Sequence, residues 1–405
     1  MPKSIQQRWA KRKEKFQRSW EKLVFNLSLR KETVSGHSQV LSRAEAALAR
    51  RCEHETDEVC LSSPDPVVRQ GWALKRQVEI EFFERYAQST PERVLIQVPP
   101  PAYSPAGYSL FTNLAESLEF IGIPTHVLAW DSETREVLEE FQPTVLLSSD
   151  HESYLQRIDW DSINSYKRDA KLRVGLTASL QEYENTPLAQ RLDWARRHGV
   201  DFYYSFRDKD YVTNRLEYQA FFKGGYKILY LPFGANILHY YPVAGFDRDL
   251  DYAIMATRKS EHARFMSGIA SKFRGFIDGP GWRHTKAFSF NRDRDRYIYA
   301  FTKVGLNVHL PEQLQWACEV NERTYQLAAC GVPQLMDHPL LIDRLFSKDA
   351  VYVADSPAQY LQIFQRIMQN PELAVLRALK AQKEAFDRHT TFHRAHDFVQ
   401  QLAQI

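Results

Sequence analysis

The stretch Asn321-Glu322-Arg323-Thr324-Tyr325-Gln326 sets amides, a guanidinium and a hydroxyl at the start of an expected helix that runs to Cys330 and stops at Gly331-Val332-Pro333. A helix start offers unpaired N–H groups and the positive end of the macrodipole, a combination that suits phosphate. Arg323 adds a charge-assisted contact to an oxygen that gains charge as a phosphate departs. A cation in the first turn opposes the dipole, so Arg323 calls for a ligand or a surface ion-pair partner. Asn321 also fits an ordinary N-cap, and Gly331 a left-handed helix end. Arg258-Lys259 follow one expected strand and can reach the same phosphates. His309, at the carboxyl end of another, faces a ligand or lies buried with its bonds satisfied. Asp150-His151 follow a third strand and offer a general base for a hydroxyl, although Asp150 can equally cap the next helix. The catalytic candidates are therefore Asp150, His151 and Arg323. The binding candidates are Arg258, Lys259, His309, Asn321, Arg323, Thr324 and Gln326.

These residues need elements to hold them. From Arg93 onward, short runs of apolar and β-branched residues alternate with helical spacers, which implies mostly parallel sheets. The first series is expected at Val94–Val98, Thr125–Ala129, Thr144–Ser148, Leu172–Leu176, Asp201–Ser205 and Lys227–Leu231. A turn-rich segment from Pro232 to Pro242 ends it. The second is expected at Leu250–Met255, Gly275–Asp278, Val304–His309, Pro333–Met336 and Ala350–Val353. Ser356-Pro357 opens a helix and Asn370-Pro371 closes it. The fold class is thus α/β, with two Rossmann-like domains facing a cleft. The expected division is a basic helical extension over 1–90, a first domain over 91–243 and a second over 244–405. In open parallel sheets ligands bind beyond the carboxyl ends of the strands, so such a cleft can hold two substrates.

The 405 residues carry a net charge of only +3, and 25% are charged, a balance that suits a soluble globular chain. The charge is uneven, with twelve basic against four acidic residues up to Arg50. Trp9, Phe16, Trp20, Leu23 and Leu27 share one helical face there, and lysines and arginines cover the remainder. Such a helix packs on the protein's own body, or lies on an anionic membrane as a peripheral contact through residues 1–29. Nothing else supports nucleic-acid binding. Four scattered cysteines, no C-x-x-C pair and no apolar run approaching ~18 residues point to a cytoplasmic protein without a structural metal or spanning helix. Asp249-Leu250-Asp251 begins a strand rather than closing one, so it does not form a metal-binding D-x-D at a strand end.

The segment Asn321–Pro333 resembles the N-x-R-x-[FY]-E-x-x-A-C-G-x-P motif of GT-B glycosyltransferases, closest to the spore-maturation-type branch of the family 1/family 4-like enzymes. Leu306-Asn307-Val308-His309 resembles the L-N-x-H strand ahead of that motif. Gly279-Pro280-Gly281-Trp282 is similar to the family's G-x-G-W turn, and Phe386 to Arg394 matches its C-terminal pattern. The likeness covers about 245–400. It implies sugar transfer from a nucleotide-sugar donor, itself the substrate so that no cofactor is needed, to a hydroxyl-bearing acceptor: a glycan, a lipid-linked sugar or a protein. Gln326 replaces the Glu that accepts hydrogen bonds from the donor ribose, keeping one acceptor oxygen and losing the charge. Cys318 replaces the partner carboxylate eight residues earlier. A non-catalytic scaffold of the same fold and a nucleotide-sugar epimerase are the competing readings. Liposome flotation separates the two readings of the basic helix, because membrane contact requires the full chain to float and a chain lacking 1–29 to sink.

Overall fold

The computed structural model describes residues 19–20, 23, 25–26, 36–180, 186–282, 285 and 288–405. All eleven expected strands form, within two or three residues of the bounds read from the sequence. β1 (Val94–Val98), β2 (Thr125–Ala129), β3 (Val145–Ser148), β4 (Arg173–Thr177), β5 (Phe202–Ser205) and β6 (Ile228–Tyr230) build one parallel sheet in the order β2-β1-β3-β4-β5-β6. Every residue of β1, β3 and β5 is buried, which is why these strands read as unbroken apolar runs rather than alternating ones. β7 (Leu250–Met255), β8 (Gly275–Asp278), β9 (Thr302–Asn307), β10 (Gln334–Asp337) and β11 (Tyr352–Ala354) build a second parallel sheet in the order β11-β10-β9-β7-β8. Each sheet is Rossmann-like and has one switch point, between β1 and β3 and between β7 and β9, where successive connections leave in opposite directions.

The chain forms two compact units. One comprises Met1–Lys75, Leu238–Gln315 and Arg323–Phe386 and contains β7–β11; the other comprises Arg76–Ile237, Trp316–Glu322 and Asp387–Ile405 and contains β1–β6. These bounds differ from the expected ones at both ends. Residues of the expected 1–90 extension belong to the β7–β11 unit, where Val40, Ala44, Ala47, Cys60, Val68 and Trp72 share a core with Leu250, Phe276 and Tyr297. The final helix, Thr391–Leu402, belongs to the β1–β6 unit. There Phe392 stacks on Phe120 at 4.3 Å, and Ser117 Oγ donates to Thr391 Oγ1 at 2.6 Å. Burial of apolar faces against partners hundreds of residues away decides both assignments.

The expected stripe Trp9, Phe16, Trp20, Leu23, Leu27 lies mostly outside the described residues. Trp20 and Leu23, which are described, are exposed; Phe25, off that stripe, is the buried one and packs edge-on against Trp282 at 6.0 Å. Among the described residues no helix is long and apolar enough to cross a membrane.

A polar knot ties residues before Lys75 to the β7–β11 unit. Glu55 accepts from Arg296 Nε at 3.0 Å and Nη2 at 2.7 Å, from Tyr241 at 2.8 Å and from Tyr297. Only 1% of the Arg296 side chain is exposed. Removing one partner of a buried pair costs about 3–5 kcal/mol, and Asp293, which also pairs with Arg296, keeps the loss at the low end. Glu55→Ala is therefore expected to lower stability by about 3 kcal/mol, read as a lower urea midpoint; an unchanged midpoint contradicts this role for the knot.

Candidate functional site

At the β7/β9 switch point the helix Glu322–Ala329 brings Arg323 onto two strand ends. Its Nε donates to the carbonyl of Met255, the last residue of β7, at 3.0 Å, and its Nη1 to Asn307 Oδ1, at the end of β9, at 3.0 Å. Nη2 enters neither contact. Burial pulls the guanidinium below its ordinary pKa. Asn307 is held in turn, because its Nδ2 donates to Thr324 Oγ1 at 2.9 Å, and Gln334 Nε2 donates to the Thr324 carbonyl at 3.1 Å. Thr324, expected to touch a ligand, is instead wholly buried and works as this brace.

The loop after β7 is shaped by the Gly279-Pro280-Gly281-Trp282 turn after β8. Gly279 has φ 131°, and a Cβ there would lie 2.3 Å from the Ala256 carbonyl oxygen. That approach lets Trp282 Nε1 donate to Ala256 O at 2.7 Å and Arg258 N to Pro280 O at 2.8 Å. Arg258, half-buried, reaches Asn26 Oδ1 at 2.7 Å and sits over the Trp282 ring, so part of its guanidinium is already used. Lys259 is exposed, and its backbone N–H donates to His262 Nδ1 at 2.9 Å. His262 senses the whole group. Burial, and then the charges of Arg323, Lys259 and Arg258, pull its pKa down to about 3. Three cations thus raise the potential at one strand edge.

His309 stands two residues beyond β9, which ends at Asn307 rather than running to His309. It is 1% exposed. Its Nδ1 lies 2.6 Å from Asp337 Oδ1 and its backbone N–H donates to Asp337 Oδ2 at 2.9 Å, with Asp337 closing β10. Nε2 is buried without a hydrogen-bond partner among the described residues. A native structure seldom leaves such an atom unpaired unless a ligand or water completes it. Gln326 is half-buried on the same helix as Arg323. Asn321 and Glu322 belong to the other unit, where Glu322 Oε1 accepts from Asn113 Nδ2 at 2.9 Å.

In that other unit a cavity of about 640 Å³ opens at the carboxyl ends of β1, β3, β4, β5 and β6, around Tyr103, His151, Ala178, Phe206 and Phe233. Its size falls in the range of about 300–1,000 Å³ that small-molecule sites occupy. Asp150 does not line it. The carboxylate is 3% exposed, paired with Arg191, and accepts from Thr177 Oγ1 at 2.9 Å and Ser179 N at 3.3 Å. Burial raises its pKa against the pull of Arg191. It caps no helix and offers no open oxygen, so it positions the loop instead of acting as the expected base. His151 is the cap. Its Nδ1 accepts from Ser153 N at 3.3 Å and lies 2.7 Å from Ser153 Oγ. Asn307, Asp337, His262 and Arg191 were not singled out from the sequence. Only Asn307 had a visible signal, its place in L-N-x-H.

Residues 258–400 match the family model described as glycosyl transferase-like. No curated protein matches in a sequence search. Among solved structures, HepE of Anabaena in complex with UDP and glucose is similar at 9% identity, covering 78% of this chain and 100% of that one, with a TM-score of 0.47. The phage T4 enzyme BGT in complex with its UDP-glucose substrate is similar at 10% identity, covering 77% and 98%, with a TM-score of 0.46. Sucrose-phosphate synthase of Thermosynechococcus elongatus is similar at 12% identity, covering 77% and 99%, also with a TM-score of 0.46.

The depressed pKa of His262 makes a signed prediction. Its native value, about 3, lies below the ordinary 6.5, so the folded state holds the neutral ring. Stability from this group is lost as pH falls below the ordinary value toward the native one. Arg323→Met is expected to raise the His262 pKa, followed by NMR titration of its ring protons. An unmoved value means the two groups do not share one field.

Proposed function

We propose that the protein is a glycosyltransferase whose β7–β11 unit binds a nucleotide sugar by its diphosphate, and whose β1–β6 unit binds the acceptor. The carrying observation is the Arg323 guanidinium laid across the carboxyl ends of β7 and β9, beside Arg258 and Lys259. The family match over 258–400 supports the same reading. Within this class we place the chain in the spore-maturation-type branch, on the Asn321–Pro333 segment and the turn Gly279–Trp282. Donor diphosphate sits against Arg323, with Arg258 and Lys259 sharing its charge. Sugar transfer breaks the bond between C1 and the diphosphate, and the leaving oxygen gains charge. Fixed cations stabilise that charge more than they stabilise the bound donor, which is what lowers the barrier. Gln326 offers one amide oxygen to the donor ribose.

A thermal-shift panel of UDP-, GDP-, TDP- and ADP-linked sugars tests this. At least one is expected to stabilise the chain, by about 2.7 kcal/mol at a hundred times its Kd. In that donor's transfer or hydrolysis assay, Arg323→Ala is expected to lose about 10²–10³-fold in kcat, the scale of a removed transition-state donor. A panel without a single stabilising sugar nucleotide overturns the proposal. A donor that binds normally but is never cleaved, with wild type and Arg323→Ala alike, favours the scaffold reading that Gln326 and Cys318 suggest.

A further inference from the structure

We propose that a second cavity of the β1–β6 unit binds a neutral glycan, which serves as the acceptor chain. Glycan binding stands by itself; the acceptor role rests on the sugar-transfer reading. The cavity, of about 390 Å³, lies beside the loop that follows β3 and is lined from the helices Glu152–Leu155, Trp160–Asp169 and Leu188–Arg197.

Two tryptophans form a corner of it. Trp160 and Trp194, both half-buried, have ring centroids 4.8 Å apart and planes at 89°. His198 stacks on one face of Trp194 at 4.1 Å, and Trp160 Nε1 donates to Leu155 O at 2.9 Å. Both indoles are therefore held in place, and the Trp160 N–H is spent on the protein. Ring carbon is what Trp160 has left for a ligand. The C–H groups along one face of a pyranose carry partial positive charge and settle on the electron-rich face of such a ring.

The rim is polar and mixed. Gln190, Trp194 and Arg197 stand at i, i+4 and i+7, on one face of their helix. Glu152 and Gln156, also four apart, share the rim, and Gln156 Nε2 donates to Glu152 Oε1 at 3.0 Å. Amides give and accept hydrogen bonds, the carboxylate accepts and the guanidinium gives. Neighbouring sugar hydroxyls, each donor and acceptor at once, answer such a set. An apolar ligand would strip water from these groups and return no hydrogen bond. The lining charges also balance, with Asp150 and Glu152 against Arg191 and Arg197, and Asp150 paired with Arg191. An anion meets the carboxylates and a cation the guanidiniums, so a neutral ligand is favoured.

Position gives the site its use. Asp150 and Glu152 line this cavity, whereas Ser149 and His151 line the larger one at the carboxyl ends of the strands. Thr177, whose Oγ1 donates to Asp150 Oδ1 at 2.9 Å, also borders the larger cavity. The two spaces share this loop as a wall. A chain of a few sugar units can rest an inner unit on Trp194 and place its end in the larger space. There the terminal hydroxyl oxygen bonds to C1 of the donor sugar and its proton leaves to solvent. The bond from C1 to the diphosphate breaks, and its electron pair goes with the nucleoside diphosphate. Trp194 and Gln190 stand away from that exchange, so they set acceptor affinity and not the rate at saturation.

The test uses the full chain. Without donor, a glycan array carrying neutral and acidic oligosaccharides is probed first, and calorimetry follows with the best neutral one. Binding is expected to weaken about tenfold in Trp194→Ala. Trp194 also packs on the unit's core, so the exposed Gln190→Ala serves as a second variant, expected to lose about fivefold at an unchanged thermal midpoint. With whichever nucleotide sugar stabilises the chain, mass spectrometry is expected to show that oligosaccharide lengthened by one sugar. Gln190→Ala is then expected to raise its KM and leave kcat unchanged. An array that retains no neutral glycan, or affinities equal in wild type and both variants, overturns the inference and leaves sugar transfer intact. An oligosaccharide that binds here but is never lengthened, while a different acceptor is, overturns the acceptor role. Failure of every nucleotide sugar to bind is failure of the sugar-transfer reading; the acceptor role falls with it, and the array still decides whether the cavity binds a glycan.

Discussion

The β7–β11 unit turns on one half-buried cation, Arg323. Arg323 is tolerable where it lies only because the Met255 carbonyl and the Asn307 amide oxygen are both presented to it. Those two atoms close neighbouring strands, so their spacing follows from the β7/β9 register, in which Leu250 pairs with Thr302 and Tyr252 with Val304. Thr324 fixes Asn307 from the same helix, and Gln334 on β10 fixes Thr324. Register and guanidinium position are therefore one constraint, distributed over three strands and a helix. A shift of β9 by one residue would turn Asn307 to the other face and strand the charge.

The electrostatics follow from that placement. Three cations near one strand edge would repel each other without a purpose, and the chain spends a buried histidine kept neutral beside them. The hydrogen-bond inventory has the same bias. Cation-facing carbonyls and amides hold Arg323 in place, yet Nη2 of Arg323 and Nε2 of His309 enter none of the contacts described. An anion with several oxygens suits the Arg323 guanidinium, and on the proposed reading that anion is the donor diphosphate.

Much of this could be read in the sequence because it depends on local pattern. Unbroken apolar runs such as Val94–Val98 announce strands buried on both faces, and Ser356-Pro357 announces a helix start. Arg323 stood out for breaking the dipole rule, and the structure supplies its reason. What stayed illegible depends on distant partners. Thr324 looks like a ligand contact until Asn307 is seen beneath it. Asp150 looks like a base or a cap until Arg191, forty-one residues on, is found against it. The core membership of Val40 to Trp72 likewise waits on Leu250 and Tyr297.

The most direct measurement is calorimetric binding of free nucleoside diphosphates, without any sugar, to the wild-type chain and to Arg323→Met. If the strand-edge cation is a diphosphate seat, at least one of UDP, GDP, TDP and ADP binds the wild type, its affinity falls as salt is raised, and the variant loses tenfold or more. Equal affinity in the two proteins, or a wild type that binds none of the four, contradicts it.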